Sequence, residues 1–342
     1  MALGTENQKL AGLQIARGLA ALGIVYFHSW VSIMRYPEGT GHPISALQHW
    51  GFLGVNFFFA LSGFVISLVV SKPEFSARSF FIKRLFRLFP IYWVILWLFV
   101  SIGHSTRGPV ESETWGYLLY SAALLPTTSM PYLDVAWSLQ HEVLFYIAAV
   151  LIVPILGLRG LAVTLAISAI AAFYFDIPEH SLPVSRYHAD FLAGVLAFMW
   201  RQQLERYPKL PFLVAGICLT AIAIETREFG IFPFASFAII YWSATVNTKR
   251  TRISKPFIAL GDASYSLYLI HPAIFLLAHR DFNSMSLWAQ EPIRWGSIAF
   301  CVFLSYVSWR FFEIPCIALG DRLSRLNKLH PIRSSTDQSL ET

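Results

Sequence analysis

Charge is what this sequence has least of. Only 13% of its 342 residues are Asp, Glu, Lys or Arg, against about 25% in an ordinary soluble domain. No segment is long and polar enough to make a second, soluble domain. Cysteine is also rare. Cys218, Cys301 and Cys316 are scattered through apolar runs, which gives neither a disulfide framework nor a zinc site. The histidines have no metal-ligand spacing, and His42 and His49 lack nearby carboxylates at such a spacing, so no metal is expected. There is no Gly-rich nucleotide loop, and Ser62 in LSGF lacks the strand–turn–helix context of a nucleophile elbow. No small-residue cleavage site follows the first apolar run, so a removed signal peptide is not expected. The net charge of +6 is no nucleic-acid footprint, because the basic residues sit in short loops between apolar runs.

What fills the chain is apolar: 56% of residues are hydrophobic and 16% are aromatic. Runs of spanning length lie at 12–34, 50–71, 85–103, 136–156, 160–176, 187–201, 211–225, 230–247, 257–279 and 293–316. The expected fold class is all-α, a polytopic integral membrane protein with about ten transmembrane helices. The stretch Trp115 to Leu125 is too short for another span and is placed at the interface or dipping into the membrane. Eighteen Lys and Arg fall on the loops of one side and six on the other, with Arg17 and Arg310 inside spans. The excess marks the cytoplasmic side, so both termini are expected there. No internal repeat is visible. The polar tail 334–342 is expected to be disordered.

One stretch organises the rest: Leu13 to Trp30, LQIARGLAALGIVYFHSW. Arg17 and His28 are eleven residues apart, three helical turns plus about 20°, so they leave the same face. The rise between them is roughly 16 Å, about half a bilayer core. Arg17 then lies near the cytoplasmic interface and His28 in the outer half. Two readings stand: a signal anchor with a snorkelling Arg and a core His, or a functional pair facing a shared crevice.

Other constellations follow in order. In GVNFFFALSGFVIS, Gly54, Ser62, Gly63 and Ser67 allow close helix approach, and the Asn56 amide needs a partner in hydrocarbon. In SARSFFIKRLFRLFPIYW, Arg84 and Arg87 share one helix face. They anchor the positive side or form a phosphate patch, since guanidinium forks suit phosphate oxygens. In YLDVAWSLQHEVLFY, Tyr132 and Trp137 fit an interfacial belt. Glu142 is one to two turns inside the outer end, at a depth similar to that of His28. A His–Glu pair would orient the imidazole as a general base, or the Glu makes a structural polar contact. Arg186, His188 and Asp190 touch a polar substrate or form a solvated rim, and for His188 the rim is preferred. His271 precedes Pro272, which implies a kink, in a span that also carries Ser264, Tyr265, Ser266 and Tyr268. Arg310 and Glu313, at i,i+3, read as a structural ion pair.

Six stretches in order (LAGLQIARGLAALGIVYFH, GVNFFFALSGFVIS, FFIKRLFRLFPIYW, AWSLQHEVLFY, LGDASYSLYLIHP and RFFEIP) resemble the membrane acyltransferase family 3, which includes O-antigen, exopolysaccharide and Nod-factor O-acetyltransferases. The resemblance covers nearly the whole chain and implies one transmembrane acyltransferase domain over 1–333. The family's Arg/Lys-x10-His motif matches Arg17 and His28, its Arg-x-x-Arg motif matches Arg84 and Arg87, and its Trp-Ser-Leu-x-x-Glu motif matches Trp137 to Glu142. Two departures stand out: Asn56 replaces a common Asp, and Val143 replaces a frequent second Glu. No extra hydrolase-like domain is expected in this length.

The resemblance implies transfer of an acyl group, most simply acetyl, from cytoplasmic acyl-CoA to a hydroxyl of a cell-surface carbohydrate or lipid-linked glycan at a bacterial inner membrane. Acyl-CoA is then a co-substrate, and no cofactor is held permanently. Arg17, Lys83, Arg84 and Arg87 would hold its phosphates. His28, oriented by Glu142, would deprotonate the acceptor or carry the acyl group itself. Asn56, Trp137, Arg186, Asp190 and His271 would contact the acceptor. The rival from another class is a proton-coupled transporter or flippase.

Overall fold

In the computed structural model, residues 2–33, 44–107, 114–125, 130–178, 181–246, 248, 251–278 and 287–326 are described. The tail 334–342 and His42 lie outside them. The described residues form helices and no strand. The helices are α1 (Ala2–Ile33), α2 (Ser45–Trp50), α3 (Leu53–Val70), α4 (Ala77–Arg107), α5 (Trp115–Ala122), α6 (Trp137–Tyr174) and α7 (His188–Leu204). They continue with α8 (Leu210–Thr226), α9 (Phe232–Thr245), α10 (Ser254–Asp262), α11 (Ser264–Ala278), α12 (Leu287–Ser308) and α13 (Ile314–Leu326).

Most described residues of each apolar run read from the sequence are helical. Among the described residues, four helical stretches are long and apolar enough to cross a membrane: Leu53–Val70, Ala77–Gly103, Asp134–Tyr174 and Gln290–Arg325. Leu210–Thr226 and Ser264–Ala278 are apolar but shorter. The runs 136–156 and 160–176 join as α6, which breaks at Gly157 with φ 65° and ψ −175°. Only glycine adopts that conformation without strain, so the break separates two apolar helices. The run 257–279 divides into α10 and α11 at Ala263. The stretch from Trp115 is the eight-residue α5, whose first turn is capped by Thr114 Oγ1 accepting from the Tyr117 N–H.

The centre is built by close helix approach. α3 packs most extensively on α7. A Cβ on Gly63 would meet the Phe191 carbonyl oxygen at 2.1 Å, and one on Gly194 would meet that of Ala60 at 1.8 Å. The two glycines therefore let the backbones touch, as small residues do between helices in lipid. α1 packs on α10, α11, α3 and α9, and α11 also on α4 and α12. The largest apolar cluster runs through α3, α4, α6, α7 and α11, with Tyr92, Leu96, Phe145 and Phe191 at its heart. Four helices of this group, with α1, surround the site described next.

Candidate active site

A cavity of about 110 Å³ opens between α1, α3, α4, α6 and α11. Arg17, Arg84 and Arg87 line it, together with Ser62, Glu142, Tyr146 and Tyr265. Arg84 and Arg87 are there because their i,i+3 spacing aims both from one face of α4. Arg17 enters from α1. Guanidinium groups taken from water need counter-charges or hydrogen-bond acceptors, and two carboxylates supply them. Glu142 accepts from Ser62 Oγ at 2.8 Å and from the Tyr146 hydroxyl. Tyr146 lies one turn beyond Glu142, and its ring centroid is 5.2 Å from the Arg84 guanidinium. Glu313 is buried, accepts from Ser266 Oγ, and acts electrostatically on Arg17 and Arg87. Three cations against one lining carboxylate leave the cavity suited to an anion with several oxygens.

His28 is not part of that lining. Val55, Phe58, Ser138 and Tyr268 also line the cavity. Tyr268 is fixed by hydrogen bonds to Ser138 Oγ at 2.8 Å and to the Val135 carbonyl at 2.7 Å. Beyond it comes His271, 5.9 Å from the Tyr268 ring centroid, and then His28, whose ring stacks on His271 at 4.9 Å. His28 Nδ1 and His271 Nε2 are 3.1 Å apart. Of the two residues expected to share one crevice, Arg17 lines this cavity and His28 does not, while the lining rings of Phe58 and Tyr268 lie 6.3 Å apart between centroids. The partner expected for His28 also differs: Glu142 turns to Ser62 and Tyr146, and the imidazole meets His271. A hydrogen-bonded imidazole pair can accept and hold a proton.

Each residue assigned to the acceptor has protein partners or is buried. Asn56 Nδ2 donates to Asp190 Oδ2 at 2.8 Å, across the α3–α7 contact. Trp137 joins an aromatic group with Tyr187, at 5.0 Å and 34°, and with Phe59 and His141. Arg186 pairs with Asp176 and lies over the Phe173 ring. His271 is fully buried. Lys83, assigned to phosphate, pairs instead with Asp321 at 3.0 Å, both partly exposed. His188 is not on a solvated rim: it is 6% exposed and its Nδ1 lies 2.6 Å from Ser168 Oγ.

The Arg310–Glu313 ion pair does not form. Trp309–Glu313 is a π-helical turn. Its wider winding removes the i,i+3 alignment, so Arg310 faces outward while Glu313 points in to Ser266. The sequence pairs Glu313 with Arg310 and so misses its contact with Ser266, because a π-turn has no reliable sequence signature. Tyr146 was detectable: it stands at i+4 from Glu142, on the same helix face.

Comparisons with known proteins bear on the family. The profile of a family described as an acyltransferase domain matches residues 10–310. A Staphylococcus aureus protein provisionally named an O-acetyltransferase is 26% identical over 364 aligned positions, covering 90% of this chain. The alignment spans 57% of that relative's own length. Nodulation protein 10 of Rhizobium leguminosarum bv. viciae is 24% identical, with 94% of this chain and 98% of the relative covered. The exopolysaccharide production protein ExoZ of Rhizobium meliloti is 27% identical over 83% of this chain and 93% of the relative. No solved structure matches. With six motif stretches in order and the profile running through nearly all of them, the chain belongs to the membrane acyltransferase family 3.

Proposed function

We propose that this protein is an O-acetyltransferase that moves an acetyl group from cytoplasmic acetyl-CoA to a hydroxyl of a cell-surface polysaccharide or lipid-linked glycan. In this reading it crosses a bacterial inner membrane about ten times, with both termini in the cytoplasm, following its ten apolar runs and the positive-inside excess. The observation that carries the reading is the meeting of Arg17, Arg84 and Arg87 in one cavity beside Glu142 and Tyr146. Its volume of about 110 Å³ is well below the roughly 300–1,000 Å³ of a drug-sized ligand site. It suits a phosphate-sized group or a slim arm, and the nucleotide stays at its mouth.

The chemistry needs a proton acceptor near the thioester, and His28 is the residue we assign. The acceptor hydroxyl oxygen attacks the thioester carbonyl carbon while its proton passes to His28. The carbon–sulfur bond then breaks, and the departing thiolate takes the proton back from His28, leaving an ester and free CoA. Positioned acid–base catalysis of this kind contributes about 10²–10⁴-fold. In this reading the thioester reaches His28 past the Tyr268 side of the cavity. Glu142 and Glu313 keep the arginine cluster ordered.

The test uses the full chain in nanodiscs, with acetyl-CoA and surface glycan extracted from cells lacking the gene. Acceptor-dependent release of free thiol, with the mass of one acetyl group gained by the glycan, supports the reading. Glycan crossing a sealed vesicle with no thiol release contradicts it and supports a carrier.

A further inference from the structure

We infer that His271 is a positioning residue for His28, fixing the His28 ring as the Nδ1–H tautomer so that Nε2 keeps the lone pair. This rests on the reading of His28 as the group that takes the acceptor's proton. The reasoning begins one residue further along, at Pro272. A proline inside a helix has no N–H for the carbonyl four residues back, which here belongs to Tyr268. That carbonyl and the Leu267 carbonyl, the latter 3.2 Å from His271 Nδ1, are both acceptors at the His271 ring. A carbonyl oxygen cannot donate, so His271 Nδ1 must carry the hydrogen. In a neutral imidazole the other nitrogen then holds the lone pair. His271 Nε2 is therefore an acceptor, and the group 3.1 Å away, His28 Nδ1, must be its donor. The Ile24 carbonyl, one turn back on α1, is a second acceptor at the His28 ring. The contact with His271 Nε2 puts the hydrogen at His28 Nδ1, which leaves Nε2 bare.

The pair has the logic of a catalytic His held by an acceptor behind it. When Nε2 takes a proton, Nδ1–H goes on donating to His271 Nε2, and the second ring helps to spread the positive charge. His271 is itself held in place. It has no exposed surface, and the rings of Tyr268 and Phe275 lie 5.9 and 5.7 Å away. It touches no solvent and is placed to act through His28.

The test compares His271→Phe with His271→Gln in the full chain in nanodiscs, with acetyl-CoA and the same extracted glycan. A Gln side-chain oxygen can stand where Nε2 stood and accept from His28 Nδ1–H. His271→Phe is expected to lower kcat about 100-fold or more, as wrong tautomers do, with KM for acetyl-CoA unchanged within about twofold. His271→Gln is expected to recover at least about tenfold of that loss. A His271→Phe kcat within about threefold of wild type, a loss carried by KM, or no rescue by Gln overturns the inference. A second readout uses the wild-type protein with ¹⁵N-histidine, the His28 signals being assigned by their loss in His28→Ala. A protonated Nδ1 and bare Nε2 support the inference, and the reverse overturns it. If His28→Ala transfers acetyl at the full rate while this tautomer holds, the functional reading fails and the ring geometry stands.

Discussion

Asn56 donates its side-chain amide to Asp190 Oδ2 at 2.8 Å, with Asp190 almost wholly buried in the contact of α3 with α7. The pair ties two helices together. Removing one partner from a buried hydrogen bond costs about 1–3 kcal/mol, while replacing both with apolar groups is nearly neutral. Asn56→Leu and Asp190→Leu alone should each lower thermal stability in detergent. The double variant should be more stable than the worse single one. A double variant that simply sums the two losses, or an Asn56→Leu whose main effect is a raised acceptor KM, contradicts the pairing.

The arginine cavity makes a different claim, about the donor. Hydrogen bonds to charged groups contribute about 1.5–3 kcal/mol each, which is roughly 10–150-fold in affinity. Arg84→Ala and Arg87→Ala should each weaken CoA binding by such a factor, and the loss should shrink in high salt. Lys83→Ala, which breaks only a partly exposed ion pair with Asp321, should change CoA affinity little. Equal losses at all three positions would show diffuse attraction in place of a built site.

At the π-turn, Arg310 and Glu313 separate cleanly. Arg310 is exposed, and Arg310→Ala should stay within about 0.5 kcal/mol of wild type. Glu313→Ala leaves Ser266 and the Arg17–Arg87 pair without a buried acceptor and should cost about 1–3 kcal/mol or more, measured as a fall in melting temperature. Equal effects from the two variants would restore the ion pair read from the sequence.

The glycines give a packing test. A Cβ at Gly194 would stand 1.8 Å from the Ala60 carbonyl oxygen, whereas one at Gly296 meets nothing within 4 Å. Gly194→Ala should reduce the yield of folded protein sharply. Gly296→Ala should be neutral or stabilise by about 0.5–1 kcal/mol, since glycine is a poor helix residue. A well-folded Gly194→Ala would contradict the described α3–α7 approach.

These outcomes bear on what the sequence could reveal. Apolar runs locate helices, because the periodicity and length of each run are local properties. The arginines were legible for the same reason: Arg84 and Arg87 share a face by spacing alone. Spacing along each run also gives His28 and Glu142 similar expected depths, yet Glu142 lines the arginine cavity and His28 does not. Which way each helix is rotated about its axis is set by packing against distant neighbours, and depth says nothing about it. So His28 met His271, 243 positions away, and Glu142 turned towards the arginines. The π-turn at Trp309–Glu313 is not legible in the sequence, because one widened turn leaves the local apolar pattern nearly unchanged. The kink at Gly157 was visible only as a short gap between two apolar runs.

The most direct measurement is acetylation of the surface glycan, read by mass spectrometry in cells whose gene carries His28→Ala, with membrane levels of the protein and its CoA affinity measured alongside. The account predicts unmodified glycan from a variant that is present, folded and still binds CoA. Glycan acetylated to the wild-type level by that variant would contradict it.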